Sequence, residues 1–92
     1  MLFVGVDLHK HTITMAVVDA SRKLLHRRRF SNLDTAGMVT FLKSLKRCQL
    51  TVEATASYDW FVSLAEPVVK RIVLAHPGKL RIIAQSTRKS DN

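Results

Sequence analysis

Three consecutive β-strands are predicted by the hydrophobic pattern of the first third of the chain. Residues 2–7 form an apolar run that ends in Asp7, and residues 12–19 alternate between apolar and polar positions. The link between these two strands is short enough for an antiparallel hairpin. A third strand is predicted over residues 23–31, and its His and Arg side chains indicate an edge strand, where water can solvate them.

The apolar period becomes helical after the third strand. A first helix is predicted over residues 34–46, with Asp34 or Asn32 as its N-cap. A fourth strand follows over residues 50–53. Ser57 is the expected cap of a second helix, which is expected to end or kink at Pro67 because an interior proline loses a hydrogen bond.

The last part of the chain predicts a fifth strand over residues 72–75 and a third helix. That helix is expected to start at Pro77, which suits a first helical turn, and to run through about Gln85. Ile82 and Ile83 leave a strand possible there. Residues 86–92 are polar and basic, with no core pattern.

These elements predict an α/β fold with the order β-β-β-α-β-α-β-α. The sheet is expected to be mixed and five-stranded, a three-stranded antiparallel meander followed by two parallel strands, with helices flanking it. A crossover that returns beside the first strand makes the fourth strand parallel to it. If those two strands pair, Asp7 and Glu53 end adjacent parallel strands.

Asp7 and Glu53 are candidate metal ligands on chemical and geometric grounds. A carboxylate where an apolar strand ends is costly to bury without compensation, and a hard cation such as Mg²⁺ can supply it. Neighbouring strands are about 4.8 Å apart, and two carboxylates at that separation can bridge metal ions about 3.5–4 Å apart. Ligands of open α/β sheets also bind at the carboxyl ends of the strands.

The charge of the chain indicates a polyanionic partner, with nucleic acid as the first candidate. In 92 residues there are 15 Lys and Arg against 7 Asp and Glu, a net charge of +8. Arg27, Arg28 and Arg29 lie in the densest basic cluster, where phosphate contact is weighed against a solvated edge strand. Lys10, between His9 and His11, either contacts phosphate or is solvated; the two histidines are interpreted as surface residues.

The single cysteine and the absence of long apolar segments constrain the cellular setting. Cys48 rules out a disulfide within the chain and is expected to be a small buried residue, which fits a reducing cytoplasm. No segment approaches the roughly 20 apolar residues of a membrane span, so no membrane association is expected.

Four short strings in order carry a more specific resemblance, which covers essentially the whole chain. They are residues 5–10 (GVDLHK), 52–60 (VEATASYDW), 75–77 (AHP) and 88–91 (RKSD). With the strand order and the two acids, these strings resemble the N-terminal domain of the DEDD transposases of insertion sequence family one hundred and ten, which are relatives of the Piv-type DNA invertases. The resemblance implies a ribonuclease H-like, RuvC-like fold.

The resemblance also implies a four-acid site for Mg²⁺ or Mn²⁺. Asp7 matches the first acid, Glu53 the second and Asp91 the third. The fourth acid of the family lies a few residues beyond the third, past Asn92, and a serine nucleophile comes from a second, C-terminal domain. Residues 1–92 are therefore expected to be one domain, an excised or truncated N-terminal part of a longer transposase.

The partners that the resemblance implies are DNA and a structured guide RNA. The full-length protein is expected to be a homo-oligomer that cleaves and transfers DNA strands, whereas the fragment alone is expected to be inactive. The candidate nucleic-acid contacts are Lys10, Arg27, Arg28 and Arg29, together with Arg88 and Lys89, which directly precede Ser90 and Asp91. The competing hypothesis is a non-catalytic nucleic-acid-binding or dimerisation module of the same fold.

Overall fold

The elements of the fold are those of a computed structural model, which describes residues 1–53, 57–76 and 78–85. In these residues the chain forms an α/β structure with a mixed sheet. A 3₁₀ turn over Glu66–Val68 follows the second helix. The strands and α-helices are β1 (Leu2–Leu8), β2 (Thr12–Val18), β3 (Leu24–Ser31), α1 (Thr35–Ser44), β4 (Cys48–Glu53), α2 (Asp59–Ala65), β5 (Arg71–His76) and β6 (Lys79–Gln85).

The strands lie in the order β3-β2-β1-β4-β5-β6. β1 pairs antiparallel with β2, and β2 pairs antiparallel with β3. β4 pairs parallel with β1 on one side and with β5 on the other. The predicted meander, the position of β3 at an edge and the parallel pairing of β4 with β1 are therefore confirmed.

The predicted five-stranded sheet and the predicted third helix are wrong. Residues Lys79–Gln85 form β6, which pairs antiparallel with β5 and makes a sixth strand. Gly78 has a φ of 81°, which a helix does not accommodate, and His76 pairs directly with Lys79 across the turn. The Pro77–Gly78 dipeptide is a turn signal, and it outweighs the preference of proline for a first helical turn; Pro77 itself lies outside the described residues.

Both helices pack on the same face of the sheet, here called the helix face. Alternate strand residues supply its sheet side, and apolar residues at helical spacing supply the other side. The cluster is fully apolar and includes Val4, Val6, Ile13, Met15, Val17, Leu50, Val52 and Ile72 from the strands, and Met38, Phe41, Leu42, Phe61 and Ala65 from the helices.

Two of the three predicted helix ends are confirmed: the N-cap of α1 and the end of α2 before Pro67. Asp34 is the N-cap of α1, and its Oδ1 accepts a hydrogen bond from the Gly37 N–H at 3.0 Å. α2 stops at Ala65, immediately before the turn that contains Pro67. The prediction of Ser57 as the cap of α2 is wrong, because α2 begins after Tyr58 without a side-chain cap. Within the described ranges, no helix has the length and apolarity needed to cross a membrane.

Candidate metal site and nucleic-acid interface

Asp7 and Glu53 are brought together by the pairing of β1 with β4. The last pair in that register is Val6 with Val52, and one further step in the same register sets Asp7 beside Glu53. The two carboxylates thus come from adjacent strands about 4.8 Å apart. They lie at the carboxyl ends of parallel strands, which is where open α/β sheets bind ligands.

Both carboxylates lie on the face of the sheet opposite the helices, here called the acid face. Val6 and Val52 are buried on the helix face, whereas the next residues, Asp7 and Glu53, are exposed. The Asp7 side chain is 58% exposed. The expected desolvation of the two acids is therefore wrong, because water solvates both of them and strand topology alone places them together.

His9 contacts one member of this pair, Asp7, through its side chain. Its Nε2 lies 2.9 Å from Asp7 Oδ2, a hydrogen bond that becomes an ion pair when the imidazole is protonated. His9 is exposed, as predicted for a surface residue, but its contact with Asp7 was not predicted. The sequence feature that indicates this contact is the spacing of two residues between Asp7 and His9, because alternate residues at a strand end project to the same side.

The turn that carries His9 and Lys10 is held by the end of β3. The Asn32 side-chain amide donates hydrogen bonds to the carbonyl oxygens of His9 and Lys10, at 3.0 and 3.1 Å. The Asn32 N–H donates to the His11 carbonyl at 2.9 Å. Asn32 is thus a clamp on the turn beside Asp7 rather than the N-cap of α1.

The donor set at this edge suits a hard divalent cation. Carboxylate oxygens are the ligands that Mg²⁺ takes in proteins, together with water and substrate phosphates. In the part of the chain that the structure describes, no cluster of three or more His, Cys, Asp or Glu side chains forms. Asp91, the third predicted ligand, lies outside the described residues, as do Arg88 and Lys89.

No protein-family model matches the chain, and no curated protein matches it. The family resemblance and the roles it implies for Asp7, Glu53 and Asp91 therefore stay predictions.

The three consecutive arginines of β3 divide between the two faces. Arg27 pairs with Ala16 and Arg29 with Thr14, and those residues pair in turn with Gly5 and Asp7 on the acid face. Arg28 lies on the helix face. Its guanidinium carbon is 5.2 Å from the Phe30 ring centroid and 5.1 Å from that of Phe41, both cation–π distances.

The remaining predicted residues lie as follows. Lys10 is exposed in the turn next to Asp7. Cys48 is fully buried with a free thiol, and burial raises the pKa of that thiol to about 11. The prediction of a buried residue is confirmed, and the raised pKa keeps Cys48 protonated and unreactive near neutral pH.

Proposed function

We propose that this chain is the metal-binding part of a Mg²⁺-dependent DNA recombinase or transposase. The observation that carries the proposal is the adjacency of Asp7 and Glu53 at the carboxyl ends of β1 and β4. Both acids are exposed on the same face, so a phosphodiester can approach them from solvent. The net charge of +8 favours a nucleic-acid substrate.

A ribonuclease H-like core is the fold that we infer for the first five strands. The order β3-β2-β1-β4-β5, with an antiparallel meander followed by two strands parallel to β1, supports this inference. The sixth strand is a departure from the five-stranded sheet that the resemblance implies.

The chemistry assigned to the site is the cleavage and transfer of a DNA strand. Mg²⁺ or Mn²⁺ bound there would neutralise charge that develops on the phosphate and orient the attacking group. Asp7 and Glu53 hold the ion from adjacent strands, and Asp91 is the proposed third ligand. The fourth acid and the serine nucleophile come, in this proposal, from the rest of a longer, RNA-guided and homo-oligomeric protein.

Calorimetric titration of the chain with Mn²⁺ and with Mg²⁺ tests the shared site. Asp7→Asn and Glu53→Gln are each expected to weaken binding, because each removes one carboxylate from the same donor set. The matched controls are Asp59→Asn and Glu66→Gln, which change exposed acids of α2 and of the turn after it. Equal metal affinity in all five proteins would contradict the proposal.

A non-catalytic nucleic-acid-binding or dimerisation module is the second candidate function. It is favoured by the net charge of +8, which suits a polyanionic partner whether or not the chain binds a metal. Such a module would bind DNA or RNA with salt-dependent affinity while the four acid variants bind metal no differently from the unmodified chain. The same titration therefore separates the two candidates.

A further inference from the structure

We propose that Arg27 and Arg29 bind the phosphates of a DNA strand that lies over the acid face and leads to Asp7 and Glu53. This inference rests on the proposed function and deepens it, because it assigns the surface that positions the cleaved strand. Arg28, between them in sequence, has a different role.

The pairing of the strands sets each arginine in a row that crosses the sheet. One row runs from Arg29 through Thr14 to Asp7, and Glu53 is the next residue along it. The other runs from Arg27 through Ala16 and Gly5 to Thr51. Arg29 is thus two strands from Asp7, about 9.6 Å between backbones, a gap that a nucleotide chain can cover.

The acid face is open above these rows. A Cβ atom added at Gly5 would meet no heavy atom of the described residues within 4 Å. The row neighbours Ala16 and Thr14 have short side chains, and no helix of the described ranges packs on this face. A backbone of sugar and phosphate can therefore approach the sheet closely between Arg29 and the acids.

Arg27 and Arg29 are available to a ligand. Both are exposed, and among the described residues neither makes an ion pair or a side-chain hydrogen bond. Guanidinium groups bind phosphate oxygens in a bidentate geometry. Alternate residues of a strand are about 6.8 Å apart, and phosphates recur about every 3.4 Å of duplex axis, so each arginine can reach a different phosphate.

Arg28 supplies an internal contrast. Its guanidinium is over the rings of Phe30 and Phe41 on the helix face, where it covers apolar surface. A solvated edge strand explains charge at all three positions equally. The alternation of side chains in β3 places Arg27 and Arg29, but not Arg28, on the face that carries Asp7 and Glu53.

The occupant that fits is the DNA strand to be cut, because the row of Arg29 ends at the proposed metal ligands and the row of Arg27 lies beside it. Binding of a fluorescent single-stranded DNA is measured by anisotropy, in EDTA, over a series of salt concentrations. The variant is Arg27→Gln/Arg29→Gln. The control is Lys43→Gln/Lys46→Asn, which removes the same charge at the end of α1; Asn suits the φ of 63° at Lys46.

The slope of log affinity against log salt is expected to fall by about 1.4 in the arginine variant, since each lost phosphate contact on a single strand removes about 0.7. The lysine control is expected to change it by less than half as much. Equal slopes in the two variants would overturn the proposal, because net charge alone would then explain binding. Unchanged melting temperatures establish that both variants fold.

Gly5→Val tests the path of the strand without changing charge. The added Cβ atom meets no heavy atom of the described residues within 4 Å, and the new side chain fills space above the row, so DNA affinity is expected to fall. Affinity equal to that of the unmodified chain would overturn the placement over Gly5. An RNA of the same sequence, if it bound more tightly and lost more affinity in the arginine variant, would overturn the assignment to DNA.

The DNA-binding measurements test the role of the arginines independently of the metal site of the proposed function. They are made without metal, so Asp7→Asn/Glu53→Gln is expected to bind DNA at least as tightly as the unmodified chain, having lost two negative charges. In the converse experiment, Arg27→Gln/Arg29→Gln is expected to bind Mn²⁺ normally. Loss of Mn²⁺ binding in that variant would overturn the separate role given to the arginines.

Discussion

The two faces of one sheet differ in almost every physical respect. On the helix face, Val4, Val6, Leu50 and Val52 are buried at 4% exposure or less beneath α1 and α2. On the acid face, their immediate neighbours in sequence include Gly5, Asp7, Thr51 and Glu53, and no helix of the described ranges covers them.

The difference shows how a short chain separates stability from chemistry. Because side chains alternate along a strand, each of β1 and β4 supplies the core with one set of residues and the candidate site with the other. Substitutions on the acid face can therefore change ligand binding at little cost to folding. The exception is Val73, which belongs to the acid face by register but is buried at 6% exposure, beside Ile82 of β6.

The largest expected effect comes from neighbouring substitutions in β4. Leu50→Ala is expected to lower the free energy of unfolding by about 2–5 kcal/mol, because it removes a fully buried side chain. Thr51→Ala, on the acid face, is expected to cost less than about 1 kcal/mol. Urea unfolding of both variants measures the difference. Similar losses would show that the acid face is also packed.

A smaller difference is expected between neighbouring arginines of β3. Arg28→Ala is expected to cost about 0.5–1 kcal/mol, the range of an exposed cation–π contact, because it uncovers the rings of Phe30 and Phe41. Arg29→Ala is expected to stay within about 0.5 kcal/mol of the unmodified chain. Thermal unfolding compares them, and a greater loss for Arg29 would reverse the assigned roles.

A last expected effect is a change of stability with pH at Cys48, on the helix face. The pKa of its thiol is raised by burial from 9.0 to about 11, so the folded state favours the protonated form. The resulting stabilisation is complete below pH 9 and is lost as the pH rises through 11. The stability difference between the unmodified chain and Cys48→Ala is therefore expected to shrink from pH 8 to pH 10.5. A constant difference in urea unfolding would contradict the burial effect.

The sequence predicted the first five strands and both described helices, with ends within about two residues of those observed, because their apolar patterns are strong and local. It missed β6. Pro77 suits a first helical turn, but Gly78 adopts a positive φ of 81° after it, and the pairing of Lys79–Gln85 with β5 is a tertiary contact.

The candidate site was predictable in its members but not in its setting. Asp7 and Glu53 follow from strand ends and chain order. The face they occupy required the register of β1 with β4, and the contact of His9 with Asp7 required the turn that Asn32 holds. The separation of Arg28 from Arg27 and Arg29 likewise depended on the register of β3 with β2.

The central claim is that Asp7 and Glu53 form one metal site, and a double-mutant cycle tests it most directly. Mn²⁺ affinity is measured for the unmodified chain, Asp7→Asn, Glu53→Gln and the double variant. If both carboxylates hold the same ion or pair of ions, the losses of binding free energy are not additive. The sum of the losses in the two single variants then differs from the loss in the double variant by more than about 0.5 kcal/mol. Losses that add within that margin would mean that the two acids act independently, and would contradict the account.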